Sequence, residues 1–322
     1  MTRLAHLSDL HFGRARPELL APLATAIGEA KPDLVVVSGD LTQRARTREF
    51  TEARHFLDSL GARWMAVPGN HDIPLFRPVT RMTRPYRRYR ECIALDLEPV
   101  VETQSMIVAG CNTSDPLVHQ RGKVRAGSIR KICQVFEAAE DTKLRIVVAH
   151  HPFEQHAGAD KTPMKRAGKG LDRLAECGTD VILSGHLHMW HTGAFVTRPD
   201  RAGPIQVHAG TSLSSRLRGE VNDFGLLDVT ADQLTVTRMA VPKDGATFEV
   251  REVVEYLRTG DGLRRAETGQ ELPQHFLLGE RRRVVDAVDQ GLFAVFQRLR
   301  RRNVRLDHEL LDQLLGVEAG GN

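Results

Sequence analysis

Five short clusters of metal-ligating residue types, each placed directly after an apolar run, constrain this chain more than any other feature. Asp9-Leu10-His11 follows Leu4–Leu7, Gly39-Asp40 follows Leu34–Ser38, and Gly69-Asn70-His71-Asp72 follows Trp64–Val67. Further on, His150-His151-Pro152 follows Ile146–Ala149 and Gly185-His186-Leu187-His188 follows Val181–Ser184. Short apolar runs of this kind read as strands buried on both faces. In an open α/β sheet the functional crevice lies beyond the carboxyl ends of the strands. Five polar clusters at five such ends are therefore expected to converge.

The segments between these runs support crossover connections. Pro17–Ala30, Thr47–Leu60, Ser128–Ala139 and Lys169–Glu176 carry helical patterns, and Met106–Ala109 reads as a further strand. Strands alternating with helices point to an α/β fold. After residue 190 the pattern becomes strand-like around Phe195, Ile205–His208, Leu226–Val229, Leu234–Met239 and Phe248–Val254, which predicts a second sheet rich in antiparallel pairs. Thr259–Gln274 reads as a polar link. Beyond it, Val285, Val288, Leu292, Phe296 and Leu299 recur at helical spacing, predicting an amphipathic helix over Glu280–Arg302 and a shorter one at Asp307–Leu315. The expected organisation is a catalytic domain over residues 1–258 and a linker with a helical extension over 259–322.

Composition narrows the class. A chain of 322 residues with 41% hydrophobic and 27% charged residues is that of a soluble globular protein. The formal charge of +4, with a pI near 9.0, is a modest bias toward anionic partners. Cys92, Cys111, Cys133 and Cys177 lie far apart without paired spacing, so four reduced thiols are expected rather than a zinc ribbon or a disulfide framework. Thr2-Arg3-Leu4-Ala5-His6-Leu7 lacks the apolar core of a signal peptide, and no stretch reaches the roughly 18 apolar residues of a membrane span. The expected location is cytoplasmic.

The residue types also define the chemistry. Imidazole, carboxylate and amide oxygen together suit zinc, iron, manganese or cobalt, whereas calcium prefers oxygen alone. Asp9 and His11 are one residue apart, as are His186 and His188, so each pair can serve neighbouring metals; Asp40 is the natural bridge. Two divalent ions bring four positive charges and Asp9 with Asp40 returns two negatives. A site left net positive attracts a phosphate ester and stabilises charge on its oxygens.

In this order the clusters resemble the calcineurin-like metallophosphoesterases, over roughly Leu4 to Val229 with no motif missing. The resemblance implies a four-layer sandwich of two mixed β-sheets flanked by helices. It implies that Asp9, His11, Asp40 and His188 bind one metal and that Asp40, Asn70, His150 and His186 bind the other. His71 then contacts the phosphate or protonates the leaving oxygen, and Asp72 beside it is the second expected catalytic residue, orienting the loop. The implied cofactors are two divalent ions (Mn, Fe or Zn), and the implied reaction is attack on phosphorus by a hydroxide bridging them. The chain is further similar to the class III cyclic-nucleotide phosphodiesterase branch through Asn70-His71-Asp72-Ile73-Pro74 and the late Ala209-Gly210-Thr211 turn. Asn70, His71, Arg216 and Arg218 are thereby expected to bind substrate.

Other readings compete. Arg77 to Arg90 mixes Arg77, Arg81, Arg84, Arg87, Arg88 and Arg90 with Tyr86 and Tyr89, a composition able to bind nucleic acid. Its plainer reading is a solvated helix face near the site mouth, so nucleic acid is the less expected partner. The C-terminal helix has arginines at both ends. It could lie on an anionic membrane, as a hydrolase of a lipid-linked pyrophosphate would require, or dock on the domain or in a homodimer. His151 beside a ligand position reads as a positioning residue. A non-catalytic metal-dependent scaffold would need a lost ligand, and none is lost.

Overall fold

Alternation within the strands decides the layers, because successive side chains point to opposite faces. In β1 (Thr2–Leu7) Leu4 joins one apolar cluster while Ala5 and Leu7 join another, and β2 (Leu34–Val37) splits the same way, Leu34 and Val36 from Val35 and Val37. The computed structural model describes residues 1–118, 120–155, 161–195, 203–260 and 262–266. The helices expected at Glu280–Arg302 and Asp307–Leu315, with most of the link before them, lie outside the described residues.

The remaining strands are β3 (Trp64–Ala66), β4 (Val100–Glu102), β5 (Met106–Cys111), β6 (Leu144–Ala149), β7 (Val181–Ser184), β8 (His191–Ala194), β9 (Ile205–His208), β10 (Asp223–Val229), β11 (Gln233–Ala240), β12 (Glu249–Thr259) and β13 (Gly262–Arg265). The helices are α1 (Leu20–Ala30), α2 (Thr47–Ser59), α3 (Pro78–Thr83), α4 (Arg87–Cys92), α5 (Ala126–Glu137) and α6 (Ala167–Glu176). One sheet runs β13-β12-β11-β10-β1-β2-β3 and the other β4-β5-β6-β7-β9-β8. Both are mixed: β1-β2-β3 and β5-β6-β7-β9 are parallel, and their flanks are antiparallel.

Between the sheets Leu4, Leu34 and Val36 meet Ile146, Val148, Val181 and Leu183 in one cluster. Burying each such side chain stabilises the fold by roughly 1.5–3 kcal/mol before entropy is counted. The outer face of the first sheet is covered by Leu23 and Ile27 of α1, Phe50 and Leu57 of α2 and Tyr89 of α4. Ile129, Ile132 and Phe136 of α5 with Leu171 and Leu174 of α6 cover the second. The layers are helix, sheet, sheet, helix. Parallel neighbours require crossovers; α1, α2, α5 and α6 supply them within β1-β2-β3 and β5-β6-β7, while β8 lies in the chain between β7 and β9. Every loop leaving β1, β2, β3, β6 and β7 at its carboxyl end consequently emerges on one rim.

Three expectations change. The strands after residue 190 do not build a sheet of their own: β10 pairs antiparallel with β1, Thr2 opposite Val229, and carries β11 to β13 with it, while β8 and β9 complete the other sheet. Hydrophobic pattern fixes a strand's faces and leaves its partner open. The first part of the expected link is not irregular, because Thr259 pairs with Gly262 and β13 follows with Leu263 buried. The compact unit accordingly extends over Met1–Ala266. Finally, Cys133 and Cys177 form a disulfide with Cα atoms 5.4 Å apart, leaving Cys92 and Cys111 as free thiols. Their separation of 44 residues hid the pair. Residue spacing could not reveal that α5 and the end of α6 lie side by side.

Candidate metal centre

The candidate ligands stand in turns that few side chains tolerate. Asp9, His11, Asp40, His186 and His188 have φ of 51°, 48°, 52°, 69° and 60°, the left-handed region disfavoured for residues with a Cβ. Such backbone persists where surrounding contacts over-determine it, and it concentrates at functional sites. Here the contacts are visible. Asp9 N donates to Gly39 O at 3.1 Å, His11 N to Asp40 O at 2.9 Å and Thr211 Oγ1 to Asp9 O at 2.7 Å. Two motif glycines are required by close packing: a Cβ on Gly69 would collide with Asp40, and one on Gly185 with the Ser8 hydroxyl.

The first sheet contributes Asp9, His11, Asp40 and Asn70, and the second His150, His186 and His188, all buried. On one side, His11 Nε2 and His188 Nε2 lie 3.4 Å apart, and they are 3.4 and 3.2 Å from Asp9 Oδ1. The opposite ring nitrogens are committed, His11 Nδ1 to Thr42 O at 3.3 Å and His188 Nδ1 to Arg216 O at 2.8 Å. Donation there fixes the neutral tautomer with its lone pair on Nε2. Asp9 Oδ2 is held by Ser8 Oγ at 2.6 Å and His186 N at 2.9 Å, whereas buried Oδ1 has no partner. With both rings neutral, two imidazole lone pairs and an orphaned carboxylate oxygen face one point, an arrangement suited to a cation.

A second set overlaps the first. His150 Nε2 is 3.3 Å from Asp40 Oδ2, 3.2 Å from Asn70 Oδ1 and 3.2 Å from His186 Nδ1, while His150 Nδ1 donates to Ser38 O at 2.9 Å. Asp40 Oδ2 also lies 3.7 Å from His11 Nε2, so this carboxylate stands between the two sets. Burial opposes charge on Asp9 and Asp40, yet the facing imidazoles hold both carboxyls well below their usual range. Burial likewise opposes a charged His150, but Asp40, Asp9 and the Ser38 carbonyl raise its pKa to about 9. A buried imidazole drawn toward protonation marks negative charge that lacks a counter-ion. Mixed nitrogen and oxygen donors suit Mn, Fe or Zn.

Around this cluster the other expected residues take distinct places. His71 Nδ1 donates to Gln43 O at 2.8 Å, and Arg216 Nη1 lies 3.2 Å from His71 Nε2. Asp72, expected to be catalytic, is buried and faces backbone instead. Its carboxylate accepts from the amides of Leu41, Thr42 and Gly69 at 2.9–3.2 Å and from Thr42 Oγ1 at 2.9 Å. Burial and neighbouring Asp40 push its pKa up to about 7. It holds two ligand loops together. His151 is buried with both ring nitrogens engaged, by Thr113 Oγ1 and Gln120 O at 2.9 Å each, and has no lone pair left for a metal. Arg218 is exposed.

Two arginines and both tyrosines of the arginine-rich segment are structural, whereas Arg77, Arg84, Arg87 and Arg90 are exposed. Arg81 donates to Pro116 O and Val118 O, Arg88 to Ala45 O, Tyr86 to Ser114 O and Tyr89 to Ala66 O. Those groups are not offered to a nucleic acid.

Lys161 was not visible in the sequence, where no motif surrounds it. Its ammonium donates to the His186 carbonyl, and burial lowers its pKa to about 8, opposed by Asp9 and Asp40 and aided by Arg218 and Arg216. Arg218 and Arg216 are thus near enough to act on its charge, as are Asp9 and Asp40 of the cluster. Lys161→Met is expected to raise KM for an anionic ester about tenfold, the worth of one charged hydrogen bond. Steady-state kinetics across pH supply the check: KM of the parent protein rises as pH passes about 8 and the ammonium is lost, and KM of the variant does not.

Donor sets that share one carboxylate place the chain in the class of α/β sandwiches built for two neighbouring metal ions. Sequence comparison narrows the class, since residues 2–190 match the calcineurin-like phosphoesterases, and the chain belongs to that family. Among curated relatives, the glycerophosphodiester phosphodiesterase GpdQ of Enterobacter lignolyticus is 36% identical over 80 residues, which is 21% of this chain and 29% of that protein. A probable cyclic nucleotide phosphodiesterase of Synechococcus is 26% identical over 58% of this chain and 72% of its own length. The UDP-2,3-diacylglucosamine pyrophosphatase LpxG of Chlamydia trachomatis is 24% identical over 58% of this chain and 63% of its own. The chain thus spans under a third of the first relative and about two thirds or more of the others. In fold it is similar to the yellow lupin purple acid phosphatase PPD1, with a TM-score of 0.63, 12% identity and coverage of 79% of this chain and 53% of that one. A dimetal phosphatase of Danio rerio gives a TM-score of 0.56, 10% identity and coverage of 77% and 98%.

Proposed function

We propose that this protein is a dinuclear metal-dependent phosphodiesterase. The observation that carries the reading is the pair of overlapping acceptor sets around Asp40, with His71, Arg216 and Lys161 beside them. Asp9, His11, Asp40 and His188 would hold one cation, and Asp40, Asn70, His150 and His186 the other. When bound, such a pair supplies a water of lowered pKa and positive charge against the phosphoryl oxygens.

The chain's own groups do the rest. Arg216 and Lys161 hold the anionic ester. His71 has its Nδ1–H fixed on the Gln43 carbonyl, so a second proton can sit only on Nε2. A phosphate oxygen that draws Arg216 away from Nε2 frees that nitrogen to be protonated. As the bond from phosphorus to the leaving oxygen breaks, His71 passes this proton to it. The curated relatives named for phosphodiester hydrolysis support this choice of substrate class.

Metal-depleted protein is expected to be inactive on bis(p-nitrophenyl) phosphate and to recover with added manganese. Unchanged turnover after chelation would sink the proposal. The match to LpxG favours a second reading, cleavage of a pyrophosphate in a lipid-linked nucleotide sugar. A panel of cyclic nucleotides, glycerophosphodiesters, oligonucleotides and nucleotide sugars separates the readings by which class turns over fastest.

A further inference from the structure

Past His71 the chain runs into an apolar wall that the described residues leave uncovered. Phe76 is 69% exposed, and Val79 and Met82, one turn apart on α3, are 75% and 60% exposed. Large apolar side chains scattered singly need no explanation, but three on one seven-residue stretch do. Phe76 and Leu75 also line a pocket of roughly 100 Å³ whose other walls include Gln43, Arg44, Asn70 and His71. Two of those walls belong to the candidate centre itself.

The wall is also held in place. Arg44 sits over the Phe76 ring, 5.1 Å from its centroid. The Arg44 backbone is fixed in turn, its amide donating to buried Glu49 at 2.8 Å. A cation stacked on one face restrains an otherwise solvated ring.

We propose that Phe76, Leu75 and Arg44 form a leaving-group subsite, which selects phosphodiesters whose departing alcohol carries an apolar body, acyl or aryl, over those with a hydrophilic one. The inference rests on the phosphodiesterase reading above. If His71 protonates the leaving oxygen, the group attached to that oxygen must lie on the His71 side of phosphorus. That side is where the pocket opens toward Phe76. Burying the departing group there offsets the cost of exposing these side chains in the free protein.

The test compares 4-butylphenyl methyl phosphate with 4-(hydroxymethyl)phenyl methyl phosphate, whose leaving phenols are of similar acidity, on the full-length manganese-loaded protein. The parent protein is expected to favour the butyl ester by about tenfold in kcat/KM, the scale on which a hydrophobic pocket discriminates. Phe76→Ser should collapse the ratio toward unity, mainly through KM of the butyl ester, and Phe76→Leu should restore most of it. Turnover without preference in the parent protein, or a preference that survives Phe76→Ser, overturns the subsite alone. Absence of turnover on both esters overturns the phosphodiesterase reading and the subsite with it. A shift in sedimentation of Phe76→Ser from dimer to monomer with the ratio unchanged would assign the wall to a second copy of the chain instead.

Discussion

Replacing Asp40 by asparagine is expected to lower phosphodiester hydrolysis by roughly a thousandfold or more, beyond the ~10–100-fold cost of changing an outer partner at a metal site. Asp40 Oδ2 lies 3.3 Å from His150 Nε2 and 3.7 Å from His11 Nε2, so it is the one carboxylate common to both donor sets. Asparagine keeps the shape and can still accept from the His71 amide, which Asp40 Oδ1 does at 2.8 Å. What it removes is the charge. Metal analysis should find fewer than two ions per chain, and circular dichroism should find the fold intact. A variant with full activity and two ions would remove Asp40 from the centre.

The second large effect belongs to His71. His71→Gln is expected to reduce kcat by about 10²–10⁴-fold, the usual worth of a positioned proton donor, with metal content unchanged. The size should depend on the ester. A p-nitrophenolate departs readily without a proton and an alkoxide does not, so the defect must be far larger on an alkyl diester than on an aryl one. Equal losses on both would make His71 a phosphate-contacting group instead. The geometry sets these roles apart: Nδ1 is occupied by Gln43 O, and Nε2 faces Arg216.

Much of this was legible in the sequence, for a physical reason. A buried parallel strand must be a short apolar run, and the residue where it ends is marked by the switch to polar types. Asp9, Asp40, Asn70, His150 and His186 can therefore be placed at strand ends from the sequence, and the structure brings them together. Less legible was whatever depends on partners distant in sequence. The pairing of β10 with β1, the Cys133–Cys177 disulfide and the turn of Asp72 toward the backbone of Leu41 and Gly69 are of this kind. Lys161 left no trace because a single lysine outside any motif looks like every surface lysine. Among the arginines after His71, composition could not separate Arg81 and Arg88, which bond to carbonyl oxygens of the chain, from the exposed Arg77, Arg84, Arg87 and Arg90.

The centre draws Asp9, Asp40 and Asn70 from one sheet and its histidines, apart from His11, from the other. A cation pair seated there would act as a rivet through the open rim of the sandwich. Trimming a seam residue such as Val36 or Ile146 would loosen the grip of one sheet on the other, and with it the rivet, from inside the sandwich.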